Sequence, residues 1–298
     1  MKILILGSEG FIGKHCVNYF VNKGEQVFGV DLMNEPSTNY IFIQRTKDSN
    51  FYSSVFREKF DVVINCAGSG NVSFSMQNPL FDFEMNCFET IKILDELKKY
   101  SNTKYIHLSS AAVYGNPTIK PITESTALSP VSPYGYHKMI AEQICKEFFT
   151  MFNCKIAILR PFSVYGPGLK KQMFWDWNQK TISNNQEIEL FGTGNESRDY
   201  IYINDLVRSL AVIIDHSSFD LDVYNVASGS ETLIKDAAKI FFSSREEKIN
   251  YKFNDIVRSG DPLNWKADIS KLKSLGFELV FSLEQGISDL KTWLKTQK

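Results

Sequence analysis

Tyr134 and Lys138 stand four residues apart in the run Ser132-Pro133-Tyr134-Gly135-Tyr136-His137-Lys138. On a helix that spacing puts both side chains on one face. A phenol ionises near 10, too high for a base at neutral pH, and a neighbouring ammonium or a cofactor cation stabilises its anion. Lowering that value by about three units takes about 4 kcal/mol of differential interaction. Taken alone, a Y-x-x-x-K pair serves equally as a surface contact. Its context adds to it. The apolar run Lys104–Leu108 leads into Ser109-Ser110-Ala111-Ala112-Val113-Tyr114-Gly115. At the carboxyl end of such a strand a hydroxyl can hydrogen-bond a substrate oxygen while hydride leaves its carbon. The same serine pair also suits a capped turn.

A second set of residues has the pattern of a phosphate cradle. Gly7-x-x-Gly10-x-x-Gly13 follows the apolar run Lys2–Leu6 directly. Gly7 permits a tight turn, Gly10 lets the backbone approach a pyrophosphate, and Gly13 lets the following helix pack on a sheet. The stretch Gly10-Phe11-Ile12-Gly13 then opens a helix whose free N–H groups and partial positive charge face the phosphates. Asp31 closes the second apolar run, where a carboxylate can accept hydrogen bonds from an adenosine ribose. It would also repel a 2′-phosphate, and no arginine follows in Leu32-Met33-Asn34 to offset it. NAD is therefore expected rather than NADP, unless Asp31 is only a solvated turn residue.

These residues need elements to hold them. Apolar runs at Lys2–Leu6, Gln26–Val30, Asp61–Cys66, Lys104–Leu108 and Lys155–Leu159 alternate with helical stretches. The helices are expected up to about Asn22, near Pro79–Tyr100, and over Ser132–Phe152. Repeated βα units predict an α/β fold, a doubly wound parallel (Rossmann) sheet with right-handed crossovers. The pattern weakens after Gly166-Pro167-Gly168. A helix holding Phe174, Trp175 and Trp177, a strand at Glu187–Phe191, a helix at Asn204–Ile214, a strand at Val223–Val226 and a last helix near Leu283–Leu294 follow. Residues 1–168, joined by 204–228, read as an NAD-binding domain. Residues 169–203 and 229–298 read as a smaller C-terminal α/β substrate-binding cap. The three aromatics suit a core better than a base-stacking role.

Bulk properties exclude several classes. Net charge is −1 over 298 residues with no basic stripe, which argues against nucleic acid as a partner. The five cysteines (Cys16, Cys66, Cys87, Cys145, Cys154) show no CxxC spacing and suit buried reduced thiols. The four histidines form no HxxxH pair, so no metal site is expected. No apolar run approaches a membrane span, and Met1–Gly7 is too short for a signal h-region, so a cytoplasmic protein is expected.

Taken in order, GxxGxxG, SSxxVYG and SPYGxxK resemble the extended short-chain dehydrogenase/reductases, and within them the NAD-dependent sugar-nucleotide epimerases and dehydratases, of which UDP-galactose 4-epimerase is one. The resemblance covers nearly the whole chain. Asp61–Gly68 is similar to the strand whose end, here Ala67 and Gly68, lies under the cofactor. Asn86 matches an asparagine that supports the active site. Arg160-Pro161-Phe162-Ser163-Val164-Tyr165-Gly166-Pro167 resembles R-x-F-N-V-Y-G-P, with Ser163 in place of the asparagine near the pyrophosphate. Gly192-x-Gly194 with Arg198-Asp199-Tyr200-Ile201, and Arg258-x-Gly260-Asp261, resemble segments whose arginines hold the sugar nucleotide.

The resemblance implies that Tyr134 is the base, Lys138 its electrostatic partner and Ser110 the catalytic hydroxyl. A nucleoside-diphosphate sugar, a transient 4-keto sugar and a homodimer are implied with them. Departures narrow the reading. Dehydratases carry Asp-Glu, and decarboxylases a Glu, where this chain has Ala111-Ala112, so elimination of water from the sugar is not expected. Gln44–Asp48 lacks the family's adenine-contacting Gly-Asp, and Gly70 stands where the galactose epimerase has a lysine. An NAD-dependent epimerase acting at C4 fits best. A reductase of a 4-keto-6-deoxy sugar nucleotide uses the same residues. A non-enzymatic dinucleotide-binding protein would not need the Tyr/Lys pair.

Overall fold

The structure, a computed structural model, describes residues 1–33, 40–183, 187–243, 249–256, 260 and 262–297. Asn34, Arg258 and Asp261 lie outside the described residues. The strands are β1 (Lys2–Leu6), β2 (Gln26–Asp31), β3 (Ile41–Gln44), β4 (Val62–Asn65), β5 (Lys104–Leu108), β6 (Lys155–Pro161), β7 (Ser163–Tyr165), β8 (Glu187–Leu190), β9 (Ser197–Tyr202), β10 (Asp220–Val226), β11 (Glu231–Leu233) and β12 (Asn250–Phe253).

Seven of them form one parallel sheet in the order β10-β6-β5-β4-β1-β2-β3. This is the doubly wound α/β fold that the alternating apolar runs predict. The central strands read as unbroken apolar runs because both faces are covered. Alternate residues of β1 serve opposite faces: Ile3 and Ile5 join one apolar cluster, Leu4 and Leu6 the other. The chain winds outward in both directions from the β1–β4 boundary, so the crevice for a ligand opens beyond the carboxyl ends of those strands.

The helix Pro133–Phe152 starts where its sequence says it should. The Ser132 hydroxyl caps it, accepting from the Gly135 N–H at 3.2 Å, and Pro133 occupies the first turn. It ends at Asn153, which adopts a left-handed conformation. The stretch Pro79–Leu97 runs as one helical rod, but residues Glu84–Phe88 form a π turn inside it. The sequence pattern predicts a single regular helix there. β3 is also absent from that prediction: its apolar run, Ile41-Phe42-Ile43, is short and lies on an edge strand with only partial burial. Asp220–Val226 is longer than the expected Val223–Val226 and pairs with β6 as the sheet's other edge. The remaining strands form small sheets, β11-β9-β7 and β12-β8, above the crevice. No helix among the described residues is long and apolar enough to cross a membrane.

Candidate active site

A cleft of about 730 Å³ opens over the carboxyl ends of the central strands. Its walls carry Gly10, Phe11, Ile12, Ala67, Gly68, Ser110, Tyr134, Lys138, Ser163 and Arg198. Residues far apart in the chain, from the glycine turn, three strand ends, the long helix and β9, therefore face one space. Gly7, Gly13, Asp31 and Asn86 do not line it.

The glycine turn has the shape of a cradle. Gly7 has φ +75°, and a Cβ there would meet the Ala67 backbone nitrogen at 2.8 Å. A Cβ on Gly13 would stand 1.9 Å from the Gly7 carbonyl oxygen, so the helix could not pack on the turn. The helix Phe11–Asn22 has Gly10 at its N-cap and no side-chain cap, which leaves its positive end to an outside anion. Asp31 accepts from the Glu9 and Leu32 N–H groups at 2.8 and 2.7 Å, so its carboxylate is fixed beside the turn. Uncapped helix, missing Cβ atoms and fixed carboxylate together fit a dinucleotide.

Ser109 and Ser110 part company in the structure. Ser109 is buried and donates to Glu142 Oε1 at 2.5 Å, below the site. Ser110 caps the short 3-10 turn Ala111–Tyr114, accepting from the Ala112 N–H at 3.1 Å, and lies within hydrogen-bonding reach of the Tyr134 phenol. Beneath both serines, Arg160 holds Glu142 with two hydrogen bonds of 2.9 and 2.6 Å and donates to the Tyr114 hydroxyl at 2.8 Å. This buried network ties β5, β6 and the Pro133–Phe152 helix together. It fixes the loop that presents Ser110.

Lys138 is buried, and its ammonium donates to the Leu108 carbonyl at the end of β5 at 2.9 Å. It lies 6.0 Å from the centre of the Tyr134 ring. Burial lowers its pKa to about 8, against the opposing charge of Asp82. The protein's own groups do not by themselves lower the Tyr134 phenol; the lowering expected from sequence also draws on the cofactor's charge. Burial pushes its phenol up to about 12, the Ser110 hydroxyl works against the rise, and Asp82 adds to it. Loss of water around the phenol is the largest cause of the rise.

The π turn bears on Asn86. An extra residue in the turn re-aims side chains, and such turns cluster at functional sites. Asn86 is buried, its amide donates to the Asp82 carbonyl at 3.0 Å, and its Oδ1 has no protein partner. That oxygen stands 2.7 Å from where a Cβ on Gly68 would be. Asp82 is wholly buried and bonds His137 Nδ1 at 2.7 Å. Nothing in the sequence pattern singled out Asp82, His137 or Glu142, because helix-internal polar residues look solvated until the packing is known.

Arg198 reaches the cleft from β9, and its guanidinium also donates to the Ser197 and Leu263 carbonyls at 2.9 and 3.3 Å. Ser163 opens β7 opposite Tyr200. Phe174 and Trp177 are core residues, as expected, while Trp175 is half-buried against Trp293.

Residues 3–227 match the NAD dependent epimerase/dehydratase family, and the chain belongs to it. The UDP-glucose 4-epimerase of Bacillus subtilis is 30% identical, with 98% of this chain and 96% of that protein covered. A putative UDP-glucose 4-epimerase of Methanocaldococcus jannaschii is 29% identical over 98% of each. Among solved structures, UDP-glucuronic acid 4-epimerase from Bacillus cereus, in complex with UDP-glucuronic acid and NAD, superimposes with a TM-score of 0.89 at 26% identity, covering 100% of both chains.

Proposed function

We propose that this protein is an NAD-dependent nucleotide-sugar epimerase that inverts C4 through a transient 4-keto sugar. The observation that carries the reading is the convergence of Ser110, Tyr134 and Lys138 on the cleft that the glycine turn also lines. Ala111 and Ala112 leave no carboxylate beside Ser110, which disfavours dehydration.

Gly7, Gly10, Phe11, Ile12 and Gly13 would cradle the dinucleotide's pyrophosphate, Asp31 its adenosine ribose, and Ala67 and Gly68 its inner half, with Tyr134 and Lys138 on the nicotinamide side. Bound there, NAD supplies a hydride acceptor and a positive charge beside the phenol. Tyr134 takes the proton of the C4 hydroxyl as hydride departs, and returns it to the ketone in the second half. Ser110 orients that oxygen. Lys138 stabilises the phenolate from below, and Asn86 holds this arrangement through its buried amide. Ser163, Arg198 and Arg258 would hold the sugar nucleotide, Arg258 on its sequence context alone. Residues 1–168 with 204–228 would form the cofactor unit, and 169–203 with 229–298 the cap.

Assembly and location follow the same reading. The packed helices Pro79–Leu97 and Pro133–Phe152 leave Leu80, Phe81, Phe88, Met151 and Phe152 exposed. Such a surface suits a homodimer of a cytoplasmic enzyme.

Three measurements bear on these assignments. Incubating the purified protein with a panel of nucleotide sugars, without added cofactor, should give products of unchanged mass and inverted C4 by NMR. A gain of two hydrogens that needs added NAD(P)H would instead make it the reductase. Calorimetry should find NAD(H) bound more tightly than NADP(H), with Asp31→Ala narrowing the difference; tighter NADP(H) binding removes Asp31 from the ribose. Arg198→Ala should weaken nucleotide-sugar binding far more than NAD binding, since guanidinium groups pair diphosphates strongly. Equal affinity for a nucleoside diphosphate in variant and parent would return Arg198 to a purely structural role.

A further inference from the structure

Lys171 precedes the Gln172–Ser183 helix on a segment to which the reading above gives no role. Its side chain reaches across the cleft and donates to the Gly70 carbonyl at 3.0 Å. An ammonium has three donors, so two remain for another acceptor. The group is only partly exposed; burial lowers its pKa, and no carboxylate among the described residues offsets that effect. A cation held out of water without an anion is unfavourable, and an arriving anion reverses the penalty. The backbone beside it is also under constraint. Gln172 has φ +66°, a left-handed conformation that persists in a side-chain-bearing residue only where its surroundings impose it.

Gly70 makes room for this reach. A Cβ there would stand 3.3 Å from Lys171 Nζ, tighter than ordinary contact, and anything longer would displace the ammonium. The same cleft is lined by Gly10, Phe11 and Arg198. From the span of Lys171 to a side-chain-free Gly70 at the cleft wall, we infer that Lys171 binds a diphosphate and does not merely tie its segment down. The inference rests on the nucleotide-sugar reading above. The diphosphate belongs either to the dinucleotide or to the nucleotide sugar, and both present the same chemistry to an ammonium.

Titration calorimetry on the full-length protein separates these sources, with NAD and UDP as probes. Lys171→Met keeps the length of the side chain and removes its charge. It should weaken one of the two ligands at least about tenfold, the range for losing a charge-assisted contact. A loss confined to NAD assigns the dinucleotide, and a loss confined to UDP assigns the sugar nucleotide. Lys171→Arg should restore most of the affinity, while Lys146→Met, an exposed charge that does not line the cleft, should change it little. If Lys171→Met melts at the parent temperature and binds both ligands as the parent does, the inference is overturned. Parent protein that binds neither NAD nor UDP would overturn the functional reading itself, and this inference with it.

Discussion

Tyr134→Phe should lower turnover by on the order of 10²–10⁴-fold while leaving the fold and NAD binding nearly intact. The substitution keeps the ring and removes only the oxygen that carries the proton. The phenol's own surroundings hold it up at about 12, so the protein without the charge of its cofactor keeps Tyr134 protonated. Removing the buried lysine makes this worse. Lys138→Met should therefore raise the pH at which the residual activity appears, because the phenolate loses its nearest cation. Ser110→Ala should cost less, since water or the phenol itself can replace one hydrogen bond. Tyr136 is the control: it is more than half exposed and turned away from the cleft. Steady-state rates over a pH series decide the matter. If Tyr136→Phe abolished activity and Tyr134→Phe spared it, the catalytic pair would be misassigned.

The second large effect is on stability. Glu142→Ala should destabilise the fold by about 3–5 kcal/mol, read from urea unfolding. The substitution leaves the Arg160 guanidinium buried with its carboxylate gone, and leaves Ser109 without its acceptor. Burying an unpaired charge is far more unfavourable than burying the pair. Glu142→Leu combined with Arg160→Met should accordingly lose less than Glu142→Ala alone, as similar-sized apolar replacements of buried pairs often do. A change below about 1 kcal/mol in Glu142→Ala would mean that water reaches Arg160 and that the network is not closed.

How much of this was legible in the sequence depended on whether a residue acts through local pattern or through distant packing. The central strands were visible because burial on both faces writes a continuous apolar run. The glycine turn was visible because each glycine answers a close backbone approach. Spacing and order brought Tyr134 and Lys138 forward, and the family resemblance singled out Ser110 over Ser109. The structure adds the reason they differ: Ser109 turns inward to Glu142. The π turn at Glu84–Phe88 was hidden, because one extra residue in a helical turn leaves the hydrophobic period almost unchanged. β3 was hidden because an edge strand only partly buried needs no long apolar run. Asp82 and Lys171 were hidden for a further reason: each meets its partner across a gap in the chain that no local rule spans. The sequence shows Lys138 beside Tyr134 but not how far burial alone raises the phenol in the protein's own surroundings.

The most direct test follows the hydrogen at C4. A nucleotide sugar that the protein turns over is prepared with deuterium on C4, and the product is analysed by NMR and mass spectrometry. The account predicts a product of inverted configuration that retains deuterium on C4 at unchanged mass, because the hydride moves to the bound cofactor and back to the opposite face. Inversion with loss of the label to solvent would contradict it.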